Sequence, residues 1–191
     1  MKYLLILLWI LSSDTALSHE EHPVADLYVQ QAAEMHKPTK RMNRLRDEVF
    51  EELNLERQHP FYFADLRSIM NRNILGVCFP QSQTVVIDTK AIRKQSDRAI
   101  KLTIAHELVH CYGRKGHNDT MISMDQLLSD GDVYKYKVTF SILDRMIMTL
   151  LGVDKCPASL MFPHGGYDSV CGPLMYEIYM EEAREAVKGK R

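Results

Sequence analysis

Residues 97–117 read Asp97-Arg98-Ala99-Ile100-Lys101-Leu102-Thr103-Ile104-Ala105-His106-Glu107-Leu108-Val109-His110-Cys111-Tyr112-Gly113-Arg114-Lys115-Gly116-His117, and the rest of the chain must be arranged around them. Ile100, Ile104 and Leu108 recur at four-residue spacing, which predicts a buried helical stripe. Ser96 or Asp97 can cap the start of that helix, and Gly113 is placed to end it in the left-handed conformation that glycine adopts at little cost. Side chains four apart on a helix lie one above the other, so His106 and His110 can aim two imidazoles at one point. Neutral imidazole nitrogens bind zinc at about 2.0–2.1 Å, and a zinc ion with three protein ligands keeps a fourth position for water. Glu107 lies about 100° further round the helix, close enough to reach such a water without becoming a ligand, which makes it the candidate general base. A bend at Gly113 would return the chain so that His117 approaches the same ion from outside the helix.

The string His106-Glu107-x-x-His110-x-x-Gly113 with a third His after it resembles the metzincin zinc peptidases, whose pattern is HExxHxxGxxH followed later by a methionine turn. That pattern puts the third His at 116, which is Gly116 here, and His117 stands one residue late; Asp119 and the more distant His164 are the other candidates for the third ligand. Ser159-Leu160-Met161-Phe162-Pro163 is similar to the S/A-x-M-x-P methionine turn of matrixin-like members. The two motifs cover Asp97 to Pro163; beyond that span the resemblance is one of architecture.

The resemblance implies an α+β fold, a zincin domain with a small mixed sheet, an active-site helix and a C-terminal helix. It implies one catalytic Zn2+ held by His106, His110 and His117, with Glu107 as the catalytic base and Met161 packed beneath the ligands without bonding to the metal. The implied activity is that of a zinc endopeptidase acting on a peptide or protein substrate through a zinc-activated water. Tyr167 and His164 are the candidate oxyanion donors, although the resembling families place the tyrosine two after the methionine, where Pro163 stands here. The competing reading is a non-catalytic zinc-binding envelope protein with a closed metal site, which would need a fourth protein ligand.

Upstream, Lys2 precedes an apolar run from Tyr3 to Leu11, and Ala16-Leu17-Ser18 has the small-x-small form of a signal-peptidase site. Residues 1–18 therefore read as a signal peptide, too short to span a bilayer, and residues 19–191 as a single exported catalytic domain, secreted or periplasmic. No stable membrane insertion is expected after signal removal, and the mature chain is read as a monomer. With 24 Lys and Arg against 25 Asp and Glu, no electrostatic footprint for nucleic acid is present. An apolar fraction of 46% suffices for a core, and the eleven methionines sit mostly at apolar helical positions, where they fill gaps rather than bind copper.

Four cysteines in an exported chain argue for two disulfides, for which sequence permits three pairings. Cys78-Cys111 is the preferred first pair, stapling a strand to the histidine-bearing helix, and Cys156-Cys171 the second, closing a segment around the methionine turn. Helices are predicted from Val24 to Met35 and after the candidate cap Thr39, the latter carrying Met42, Leu45, Val49, Phe50 and Leu53. Its charge run, Lys37 to Arg46, reads as a solvated face. Strands are predicted at Phe61 to Leu66, Ile74 to Phe79 and Thr84 to Asp88, and further helices at Val138 to Leu151, ended by Gly152, and Leu174 to Val187. The insert at 118–155 is assigned to packing or to one wall of the cleft.

Overall fold

The computed structural model describes residues 37–55, 59–70, 74–113, 115–123, 146, 150–152, 155–161 and 171–188, without the side chains of 69, 70, 173 and 174. The expected signal at 1–18, the helix at Val24 to Met35, most of the one at Val138 to Leu151, and both Tyr167 and His164 lie outside the described residues.

Helix α1 (Lys40–Glu52) begins where Thr39 caps it, the Thr39 hydroxyl accepting from the Met42 amide at 3.2 Å. Its apolar stripe, Met42, Leu45, Val49 and Phe50, is buried. Strand β1 (Phe61–Ala64) stops before the predicted Leu66, because Asp65 acts as a helix cap: its carboxylate accepts from the Ser68 amide at 3.3 Å and hydroxyl at 2.6 Å, and α2 (Leu66–Met70) follows. Strands β2 (Gly76–Phe79) and β3 (Thr84–Asp88) form a hairpin, and the sheet order is β1-β3-β2, with β1 parallel and β2 antiparallel to β3. Asp88 ends β3 and caps the short α3 (Thr89–Ile92), accepting from the Ala91 amide at 2.6 Å.

The central strand β3 is buried at every position, its period-two alternation splitting the apolar side chains between two clusters. Val85 and Ile87 face the main core, while Val86 faces a smaller cluster with Ala64 and Leu66. The main core surrounds α4 (Asp97–Leu108), which starts at the Ser96 cap, Ser96 Oγ accepting from the Ala99 amide at 3.2 Å. A one-sided stripe was expected; instead every residue of α4 from Ala99 to Leu108 is buried except Lys101. The cause is placement, since α4 lies between the sheet on one side and α1 and the C-terminal helix α5 (Cys171–Lys188) on the others.

The charge run of α1 is not simply solvated. Arg41 and Arg44 donate to the Asp97 carboxylate at the start of α4, at 2.7 and 2.6 Å, and Lys101 donates to Glu52 at 2.7 Å and pairs with Glu48. These ion pairs tie the two helices together along their partly exposed seam.

Past Leu108 the helix widens into a π turn, Val109–Gly113. Gly113 does not take the left-handed conformation expected of it. Its missing side chain is needed for close approach instead: a Cβ there would stand 3.2 Å from both Ala186 Cβ on α5 and Val109 Cγ1. Gly152, placed by the sequence at the end of a helix that lies mostly outside the described residues, has φ +63°, in the left-handed region. Strand β4 (Met121–Ser123) pairs antiparallel with β5 (Lys155–Pro157), and this ribbon continues as Asn118 N–H donates to Met161 O at 2.9 Å. Two disulfides fasten these parts: Cys78–Cys111 joins β2 to the π turn, and Cys156–Cys171 joins β5 to the first residue of α5.

Candidate metal centre

His106 comes from the last turn of α4, His110 from the π turn, and His117 from the segment that returns toward β4. A π turn takes in an extra residue relative to an α turn, so the chain leaves the helix at a different phase on its way to His117. The three rings converge. His110 Nε2 lies 3.0 Å from His106 Nε2 and 3.1 Å from His117 Nε2. One ligand nitrogen from each of the three lies within 4.8 Å of the others, an arrangement that could hold a metal ion.

The opposite edges of two rings decide what those nitrogens offer. His106 Nδ1 is 2.8 Å from Leu160 O, and His110 Nδ1 is 2.8 Å from Lys115 O. A carbonyl oxygen only accepts, so each Nδ1 carries the hydrogen, and in a neutral ring Nε2 is then left with its lone pair. Burial, reinforced by the neighbouring His110 ring, pushes the His106 imidazole down to about 3, so it is neutral near pH 7. Two lone pairs facing each other at 3.0 Å repel unless a positive charge, a shared proton or a metal ion, sits with them. Three nitrogens at about 2.0–2.1 Å from a tetrahedral zinc would be about 3.3–3.4 Å apart, within a few tenths of an ångström of the two separations observed. An all-imidazole donor set in which the Nδ1 atoms of His106 and His110 are anchored on carbonyls fits zinc or another late first-row divalent ion.

Glu107 is 7% exposed, and its carboxyl is pushed up to about 8 by burial. Its side chain lies against the first residue of β2, where a Cβ on Gly76 would stand 2.7 Å from Glu107 Cγ and 3.1 Å from Cδ. Gly76 thus leaves the space that the acid occupies. Met161 is 1% exposed and its carbonyl holds the Asn118 amide, so the methionine segment is tied directly to the residue after His117.

Asp119 is described and exposed, and it is not part of the histidine group; His164 and Tyr167 lie outside the described residues. Among the described residues the group has three members and no fourth ligand. Sequence reasoning did not find Gly76 or the two orienting carbonyls. An isolated glycine within a strand pattern is the signal that could have pointed to Gly76; backbone carbonyls leave no trace in side-chain identity. Comparison with protein families, curated proteins and solved structures finds no match for this chain.

Proposed function

We propose that this chain is an exported zinc-dependent endopeptidase of metzincin-like type, with His106, His110 and His117 as ligands and Glu107 as general base. The observation that carries the reading is the convergence of three imidazoles, two of them turned by carbonyls at Nδ1 so that their Nε2 atoms face one another, one residue from a buried acid. Zinc, when bound, supplies the Lewis acidity that makes a water acidic near neutral pH and polarises a carbonyl. In its ionised form, which burial disfavours below about 8 and a bound cation would favour, Glu107 takes the proton from the attacking water and hands it to the leaving amine. Gly76, by giving the Glu107 side chain its room, sets where that proton is held.

The sheet supports a peptide as the substrate class. Strand β2 is an edge among the described residues, and its first residue touches Glu107. An extended peptide added to this edge as a further strand would run past the carboxylate, gripped through its backbone with little demand on its side chains. Two disulfides suit an oxidising compartment, and among the described residues no helix is long and apolar enough to cross a membrane.

The test compares bound zinc and hydrolysis of casein or a quenched fluorescent peptide in wild type, Glu107→Gln and Glu107→Ala. Retained zinc with cleavage reduced by about 100-fold or more is expected. Unchanged cleavage removes the general-base assignment. Stoichiometric zinc in a wild type that cleaves nothing returns the chain to the closed-site, non-catalytic reading.

A further inference from the structure

Helix α5 contributes no ligand, yet one of its carboxylates reaches the backbone behind two of them. Glu182 Oε1 accepts from Ser159 Oγ at 2.6 Å and Oε2 from the Leu160 amide at 2.8 Å. Ser159 Oγ in turn accepts from the Met161 amide at 3.0 Å. Leu160 is therefore held at its N–H by Glu182 while its C=O takes the His106 Nδ1 hydrogen at 2.8 Å. The same Glu182 Oε1 also faces Lys115 Nζ at 3.9 Å, and Lys115 is the residue whose carbonyl takes the His110 Nδ1 hydrogen at 2.8 Å.

We propose that Glu182 is the positioning residue of the metal centre, fixing from α5 the Leu160 carbonyl, and more weakly the Lys115 segment, that turn His106 and His110 toward the ion. This rests on the metal-binding half of the reading above and not on the peptidase activity. A carboxylate is suited to the place because all three groups that meet it, a hydroxyl, an amide N–H and an ammonium, are donors. An amide in its stead must present an NH2 to one of them. The side chain of Glu182 is only 18% exposed, and Ser159 is 5% exposed, so water does not readily replace a lost acceptor. Partners that orient a metal-ligating His through its second ring nitrogen govern affinity as well as geometry. Glu182 acts one residue further out, with its effect delivered through the direction of the Leu160 C=O.

The readout is the zinc dissociation constant, measured by competition with a chromophoric chelator, together with the visible absorption of the Co2+-substituted protein. Glu182→Gln and Glu182→Ala should weaken zinc binding by about 10-fold or more and shift or weaken the Co2+ bands. Ser159→Ala, which removes the donor to Glu182 Oε1 and the acceptor of the Met161 amide but leaves the Leu160 amide bond to Glu182, should move both readouts in the same direction by less. Glu181→Gln is the control, since Glu181 is the neighbouring acid on the same helix and pairs with Arg184. A merely structural role would lower the unfolding midpoint of these variants alike and leave zinc affinity and the Co2+ spectrum at wild type, which would overturn the proposal. If Glu182→Ala fails to fold, Glu182→Gln and Ser159→Ala decide, and wild-type affinity in both overturns it. Loss of cleavage in Glu107→Gln tests the peptidase reading separately, and a wild type that binds neither zinc nor Co2+ overturns both together.

Discussion

Replacing Gly76 by alanine adds one methyl group at the point where β2 meets Glu107. The new Cβ would stand 2.7 Å from Glu107 Cγ and 2.8 Å from Ile87 Cδ1, about 0.7 Å inside the 3.4 Å at which ordinary contact begins. Neither neighbour can easily move away, since Ile87 is fully buried in the main core and Glu107 is 7% exposed on the packed helix α4. Overpacking of this kind costs about 1–3 kcal/mol of stability. The larger effect should be on turnover, because a catalytic group misplaced by about 1 Å loses up to about 100-fold in rate. We expect kcat/KM for a fluorogenic peptide to fall by about 10- to 100-fold, mostly in kcat. Zinc affinity should stay within about a factor of three, a difference well under 1.4 kcal/mol, because Leu160 O and Lys115 O orient His106 and His110 independently of β2. A folded Gly76→Ala protein with wild-type kcat/KM would refute the reasoning that this glycine makes the space in which Glu107 works.

Asp97→Asn removes the charge that Arg41 and Arg44 grip at the start of α4. The hydrogen bonds from Arg44 and then Arg41 hold the Asp97 carboxyl below its ordinary 3.8, so its stabilisation is present above that value and is lost as pH falls through the lower folded-state value. Because the side chains are 40–53% exposed, screening limits the expected loss at pH 7 to about 0.5–1 kcal/mol. Urea denaturation should show wild type and variant converging as pH falls below 3.8, and a gap that persists there counts against the ion-pair account. Cys156→Ser with Cys171→Ser opens a loop of sequence separation 15, which the chain-entropy model values at about 3 kcal/mol. Thermal unfolding of the metal-free protein would register that loss, and an unchanged midpoint would contradict it.

What was legible in the sequence is whatever local spacing and local capping decide. Thr39 and Ser96 cap the helices they precede, because a short hydroxyl side chain satisfies an amide that the first turn leaves open. The β-branched run Thr84 to Asp88 is a strand, and His106, His110 and His117 do meet, since four residues of helix and a short return are enough to bring rings together. Asp65 shows where local reading failed, an acid that ends a strand by capping the next helix, with no sign in the apolar pattern around it.

Most of the remaining features depend on contacts between residues far apart in the chain; the Lys115 carbonyl, five residues from His110, depends on how the chain turns back after the helix. Burial of α4 on nearly all sides, the π turn after Leu108, and the close approach of Gly113 to Ala186 came from its position between sheet and helices, not from its own periodicity. The sequence by itself determined which residues could be ligands and which could be base. Tertiary structure alone decided that Leu160 and Lys115 carbonyls turn the two Nε2 atoms to face one another, that Gly76 makes room for Glu107, and that Glu182 holds the turn behind His106. The physical reason is that a ring's tautomer and a buried acid's position are set by the groups facing them, and those groups stand up to 54 residues away.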